Sequence, residues 1–182
     1  MIEPTKKQRF QASVLPHLNS AFNLACWLTH SRQDAEDVVQ EAYLRAFKFF
    51  DGFHGEDSRA WLLAIVRNTF YTWYQEHQKQ RQETAFDEEM HNFNACGIVG
   101  TESADNNPET LLMQKDSERQ LQQALQALPL EFREVMVMRE LEELSYKQIA
   151  AIVGIPIGTV MSRLGRGRKL LAAILAPARQ EA

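Results

Sequence analysis

The apolar positions of this chain recur almost everywhere at helical spacing. From Ser31 to Phe50, Ala35, Val38, Val39, Ala42, Ala46 and Phe50 form one stripe, while Asp34, Asp37, Gln40, Glu41, Arg45 and Lys48 face elsewhere. Ser31 with Asp34 three residues on resembles a capping arrangement, and Asp51-Gly52 supplies a stop. The preceding stretch, about Lys7 to Thr29, also reads as helical, with Pro16 expected to kink or divide it. After a loop from Phe53 to Asp57, either Asp57 or Ser58 can cap a third helix reaching about Gln82. Its expected core face is Trp61, Ile65, Thr69 and Trp73, and these helices predict one small bundle.

The periodicity lapses over residues 83–107, where Gly97, Gly100, Asn106, Asn107 and many acids predict a flexible acidic linker. Pro108 then suits a helix start. Helices are expected over 108–127, 130–141, 146–153 and 157–176, with Pro129 dividing the first two, Ser145 capping the third and Gly154 stopping it. Alternating β-branched runs bounded by turn residues are almost absent. The predicted fold class is therefore all-α: two small helical domains, 7–82 and 108–176, joined by the linker 83–107.

Within the second domain, Ser145 to Leu164 has the pattern of a helix-turn-helix. Ala150 is small where two helices cross, Gly154 suits a left-handed turn, and Ile149, Val153, Ile155, Val160 and Leu164 are spaced to bury the inner faces. The second helix would lie in a major groove. On it Thr159, Ser162, Arg163, Arg166 and Lys169 are expected to share one exposed stripe, with Arg168 on the adjoining flank. Hydroxyls and guanidinium groups suit phosphate oxygens and guanine edges. Helical hairpins with a solvated basic face are also common, so spacing alone leaves both readings open.

Charge tips the balance. The formal net charge is −4, yet from Ser145 onward there are six bases against the single acid Glu181, whereas residues 82–118 carry nine acids against Lys115 alone. A basic end of this kind points to phosphate contact. The composition, 45% hydrophobic and 24% charged, is that of an ordinary globular protein. No apolar run is long enough to cross a membrane, and the polar, basic start is unlike a signal peptide. The two cysteines, Cys26 and Cys96, lack metal-ligand spacing and fit a reducing cytoplasm. His17, His30, His54, His77 and His91 are scattered, and no nucleophile–base pair or phosphate-binding glycine loop is seen. No catalytic residue, metal site or cofactor is expected, and an enzyme is disfavoured.

Two separate segments carry a family resemblance. "SYKQIAAIVGIPIGTVMSRLGRGRKLL" (Ser145–Leu171) and the approach to it, "LPLEFREVMVMRELEELS", resemble the promoter-reading C-terminal domain of extracytoplasmic-function sigma factors. "DAEDVVQEAYLRAFKFFDGFHGEDSRAWLLAIVRNTFYTWY" resembles the N-terminal domain of the same family. The resemblance implies that the Asp34–Phe47 helix docks on the clamp of the largest subunit of core RNA polymerase, through Asp37, Gln40, Glu41 and Arg45. It implies that the Phe53–Ser58 loop and third helix read a melted minus-ten promoter element, through Arg59, Arg67, Asn68, Tyr71 and Tyr74. The helix-turn-helix would read the minus-thirty-five duplex through Thr159, Ser162, Arg163, Arg166, Arg168 and Lys169.

Members are commonly held inactive by an anti-sigma partner, which becomes an expectation here as well. Met161 departs from the family habit, and Gly165 with Gly167 places two glycines in the recognition helix, so that it either frays after Leu164 or allows a backbone to approach closely. The acidic linker suits either a solubilising tether or a mimic of a nucleic-acid strand in polymerase. Cys96 and His91 are too few for a closed metal site. The competing reading is a stand-alone helix-turn-helix regulator that binds duplex operators without polymerase.

Overall fold

A computed structural model describes residues 4–83 and 108–176, with side-chain environments for 4–78 and 115–176. Among the described residues all regular structure is helical. The chain runs through α1 (Lys6–Val14), a 3₁₀ turn at Leu15–His17, α2 (Leu18–Thr29), α3 (Arg32–Phe49) and α4 (Ser58–Glu83). It resumes with α5 (Pro108–Ala127), α6 (Leu130–Met136), a π-helical turn at Val137–Leu141, α7 (Tyr146–Val153) and α8 (Ile157–Leu175). The linker expectation, with Cys96 and His91, lies outside the described residues.

Local chemistry sets most of these boundaries. Pro16 falls in the 3₁₀ turn that divides α1 from α2, because it cannot continue the α-helical hydrogen bonding. The Ser31 hydroxyl accepts from the Asp34 amide and starts α3. The Asp57 carboxylate accepts from the Ala60 amide at 2.9 Å and opens α4. Ser145 and Gln148 form a reciprocal capping box at the head of α7. Gly154 ends α7 at φ 75°, a conformation that costs other residues steric strain.

The first unit packs α2, α3 and α4 together, with α1 laid against α4. Phe10 meets Tyr43, Phe47 and Phe50 edge-on, and Phe53 stacks on Trp61 at 4.6 Å. The buried stripe of α4 is Leu62, Leu63, Val66, Thr69 and Phe70; of the expected core face only Thr69 belongs to it, and Trp61, Ile65 and Trp73 do not. Trp61, Ile65 and Trp73 lie at the margin of the core, where a large indole can bury one face and keep the other in contact with solvent. Each fully buried Leu, Val or Phe of that stripe contributes roughly 1.5–3 kcal/mol.

The second unit packs α6, α7 and α8 around Val135, Met136, Val137, Met138, Ile149, Val160 and Leu164, with α5 against α8. Helix α8 continues unbroken through both glycines, so of the two alternatives fraying after Leu164 does not occur. Gly167 is buried where a Cβ would come within 3.0 Å of the Met136 Cγ and 3.5 Å of the Phe132 Cβ. The close approach of α6 leaves no room for a Cβ at Gly167 unless the Met136 side chain shifts; a Cβ at Gly165 would meet nothing within 4 Å. The two units are also packed on each other: α4 lies against α7, and α2 against α6.

Candidate nucleic-acid interface

Helices α7 and α8 turn through 101° about Gly154, within the range of a DNA-reading helix-turn-helix. The second helix presents its first turns outward. Met161 is 55% exposed, and Ser162, Arg166 and Lys169 are exposed as well. Thr159 is half-buried, and its carbonyl accepts a hydrogen bond from the Ser162 hydroxyl at 3.0 Å. Arg168 is exposed and donates twice to Glu140, at 3.1 and 2.7 Å; those bonds hold its guanidinium above its ordinary pKa.

Arg163 does not share the exposed stripe. It turns toward α6, 3.8 Å from a Glu131 oxygen and 3.5 Å from Glu134 Oε1. The physical reason is the carboxylate it faces. Glu134 is 1% exposed and needs more than one partner to remain charged there.

The residues expected to read the minus-ten element divide into two groups. Arg67 and Tyr71 converge on the same Glu134: Arg67 donates to it at 2.8 and 3.1 Å, and the Tyr71 hydroxyl at 3.2 Å. The Arg67 guanidinium also lies 4.5 Å from the Tyr71 ring centroid. Burial works against the Arg67 charge, but hydrogen bonding and attraction from Glu134 outweigh it and hold the group above its ordinary value. Burial, then the Glu134 charge, pushes the Tyr71 hydroxyl up to about 12. Arg59 donates to Glu142 at 2.5 Å and to the Ser20 hydroxyl at 3.2 Å. Asn68 and Tyr74 lie apart from this cluster, both exposed, and Gln78 donates to the Tyr74 hydroxyl at 2.6 Å.

The expected polymerase face is open. Asp37, Gln40 and Glu41 are exposed on α3, and Arg45 donates to Glu41 at 2.8 Å. Leu44, which the charge pattern did not single out, lies on the same face at 64% exposure, with Phe47 and Phe49 also exposed nearby. A leucine three residues after a glutamate and outside the Ala35–Ala46 stripe was the available signal. Among the described residues no three His, Cys, Asp or Glu side chains are arranged to hold a metal ion. No single described helix is long and apolar enough to cross a membrane.

Two family models match in the expected order: sigma-70 region 2 over residues 14–80 and sigma-70 region 4 over residues 118–171. The chain is 30% identical to the RNA polymerase sigma-H factor of Pseudomonas aeruginosa over 97% of its own length and 91% of that protein. It is 34% identical to the ECF RNA polymerase sigma-E factor of Escherichia coli, over 76% of this chain and 72% of that one. Its structure is similar to that of the sigma factor RpoE from Bartonella quintana, solved with the anti-sigma factor NepR. That match has a TM-score of 0.72 at 26% identity, covering 92% of this chain and 97% of that one. A CnrH structure shares the fold, with a TM-score of 0.64 at 21% identity, covering 94% of this chain and 90% of that one. The match to region 2 leaves no ground for the stand-alone regulator. The chain belongs to the extracytoplasmic-function sigma factors of the sigma-70 family, the transcription-initiation subunits that bind core RNA polymerase and direct it to promoters.

Proposed function

We propose that the tasks of this sigma factor are divided between its two helical units, 7–82 and 108–176. The outer face of α3, with Asp37, Gln40, Glu41, Leu44 and Arg45, docks on the clamp of the largest polymerase subunit. Helix α4 and the loop before it read the melted minus-ten element through Arg59, Arg67, Asn68, Tyr71 and Tyr74. Helix α8 reads the minus-thirty-five duplex through Thr159, Ser162, Arg163, Arg166, Arg168 and Lys169. The observation that carries this reading is the sharply turned α7–α8 pair with an exposed basic face, in the same chain as an exposed α3 face where an apolar Leu44 is ringed by charge.

The division has a physical rationale. Phosphate contacts from a handful of bases give weak, salt-sensitive binding by themselves. Tethering both units to polymerase raises the effective concentration of each at its own element. Aromatic and guanidinium groups on α4 offer stacking surfaces for extruded bases, so binding favours the melted state by population shift. An anti-sigma protein controls the factor in this reading, supported by the solved relative that is held by NepR. The factor acts in the bacterial cytoplasm, on the nucleoid when bound to polymerase.

The test is binding to sigma-free core polymerase. Asp37→Arg with Glu41→Arg is expected to weaken co-elution with core enzyme and promoter-directed transcription while the circular dichroism stays native. Unchanged affinity would reject α3 as the docking face.

A further inference from the structure

We infer that the free chain holds itself closed: two glutamates of the second unit, Glu134 and Glu142, occupy the guanidinium groups of Arg67 and Arg59 of the first and so mask them from DNA until the units part. The DNA side of this inference rests on the roles proposed above; the closure itself does not.

The closure is a row of polar clasps along one seam. At its deepest point Glu134 receives two bonds from Arg67 and one from Tyr71, with Arg163 beside it. Farther along, Glu142 binds Arg59 and accepts a long 3.5 Å bond from the Asn23 side chain. At the head of α7, Gln148 donates to Asp57 at 2.6 Å. Partners in these contacts come from α2, α4 and the loop before α4 on one side, and from α6 to α8 on the other.

The π turn explains how one short element reaches two clasps. Along a regular α-helix, residues seven apart fall on nearly the same face, and residues eight apart do not. A π turn inserts one residue into the helical progression. Val137–Leu141 is such a turn, closed by the Glu142 amide donating to the Val137 carbonyl at 3.0 Å. It brings Glu142 into the angular place that the seventh residue after Glu134 would otherwise hold. Both carboxylates therefore face the first unit, and both are nearly inaccessible, at 1% and 5% exposure.

The seam is built to part. Its strongest contacts are charged pairs, whose burial is offset by the loss of hydration, so separation returns both partners to water at modest net cost. A DNA phosphate offers a guanidinium the same two-oxygen acceptor that Glu134 provides. The packing is also incomplete. A cavity of about 710 Å³ lies between the units, with Trp73, Tyr74 and His77 of α4 on one wall and Gln126 of α5 and Arg133 of α6 on the other.

The experiment uses the full chain without polymerase. Small-angle scattering reports closure, and fluorescence anisotropy of a labelled single-stranded oligonucleotide of mixed sequence reports masking. Glu134→Gln with Glu142→Gln is expected to enlarge the radius of gyration. If the open form is under a tenth of the population, complete opening strengthens oligonucleotide binding more than about tenfold.

Because Glu134 lies deep in the core, a second set acts at the shallower clasp. Glu142→Arg should enlarge the radius, and adding Arg59→Glu should restore it, since the swapped pair attracts again. A wild-type radius equal to that of the variants, or a swap that fails to re-close the chain, overturns the latch whether or not the protein binds polymerase. A radius that responds while oligonucleotide binding stays unchanged overturns the masking and the DNA roles of Arg59 and Arg67, leaving the polymerase reading standing.

Discussion

On the outer face of α3, Arg45 and Glu41 pair at 2.8 Å with 37% and 50% of their side chains in water; across the seam, Arg67 and Glu134 pair at the same distance with 15% and 1% exposed. Equal geometry does not mean equal consequence. The α3 pair exchanges one hydrated arrangement for another, so it leaves the face free to meet a partner. The seam pair has given up its hydration, so neither member can lose the other without being left stranded in the protein. The first kind of surface suits docking. The second suits a contact that must be broken as a unit.

The sharpest way to break this comparison is to truncate the acid on each side. Glu134→Ala strands Arg67, while Arg163 keeps its contact with Glu131, and breaking a buried pair in this way costs about 3–5 kcal/mol. Opening of the seam lets Arg67 reach water and draws the measured loss toward the lower end. Glu41→Ala should cost less than about 1 kcal/mol, as exposed pairs do. Urea midpoints at constant slope measure both. Equal shifts would show that burial at the seam does not govern the pair.

A second comparison separates two glycines two residues apart on α8. Gly167→Ala drives a methyl group against Met136 and, through α6, disturbs the helix that carries Glu134. Overpacking of this sort costs about 1–3 kcal/mol, offset in part by the roughly 1 kcal/mol that alanine gains over glycine inside a helix. Gly165→Ala meets open space and should stabilise the helix by about 1 kcal/mol. Thermal unfolding of the two variants should move in opposite directions. A shift of the same sign would discard the close approach of α6 as the reason for Gly167.

These contrasts also mark how far the sequence could be read. Helix positions were legible because their signals are local: the Ser31 and Ser145 caps, Pro16, and Gly154 each act within one turn of chain. The helix-turn-helix core was legible for the same reason, with Ile149, Val153, Val160 and Leu164 all buried. The α4 core face was misjudged by about one residue, because large aromatics at Trp61 and Trp73 look like core by size yet lie at its edge. The seam was not read at all. Glu134 stands in the run EVMVM, apolar enough to be buried all round, and a carboxylate there demands a cationic partner. Its partner Arg67 lies on another helix, and spacing within one element carries no information about that.

The smallest effect tests the outermost clasp. The Asp57 carboxyl is held below its ordinary value chiefly by the Ala60 amide, against a partial opposing effect of burial, with the Gln148 bond adding to the lowering. A carboxylate lowered in the folded state contributes stability that is fully present above its unfolded value of about 3.9 and is lost as the pH falls through the lower folded value. Stability measured from neutral pH into that range should therefore decline on the acid side, partly through Asp57. Asp57→Asn keeps an acceptor for the Ala60 amide but cannot titrate, so it should flatten this part of the decline. Gln148→Ala removes only the bond across the seam and should flatten it less. Should the two variants flatten it equally, the Ala60 bond adds little, and the titration of Asp57 reports the seam and not the start of α4. An acid limb unchanged by Asp57→Asn would mean that other carboxylates carry the whole decline.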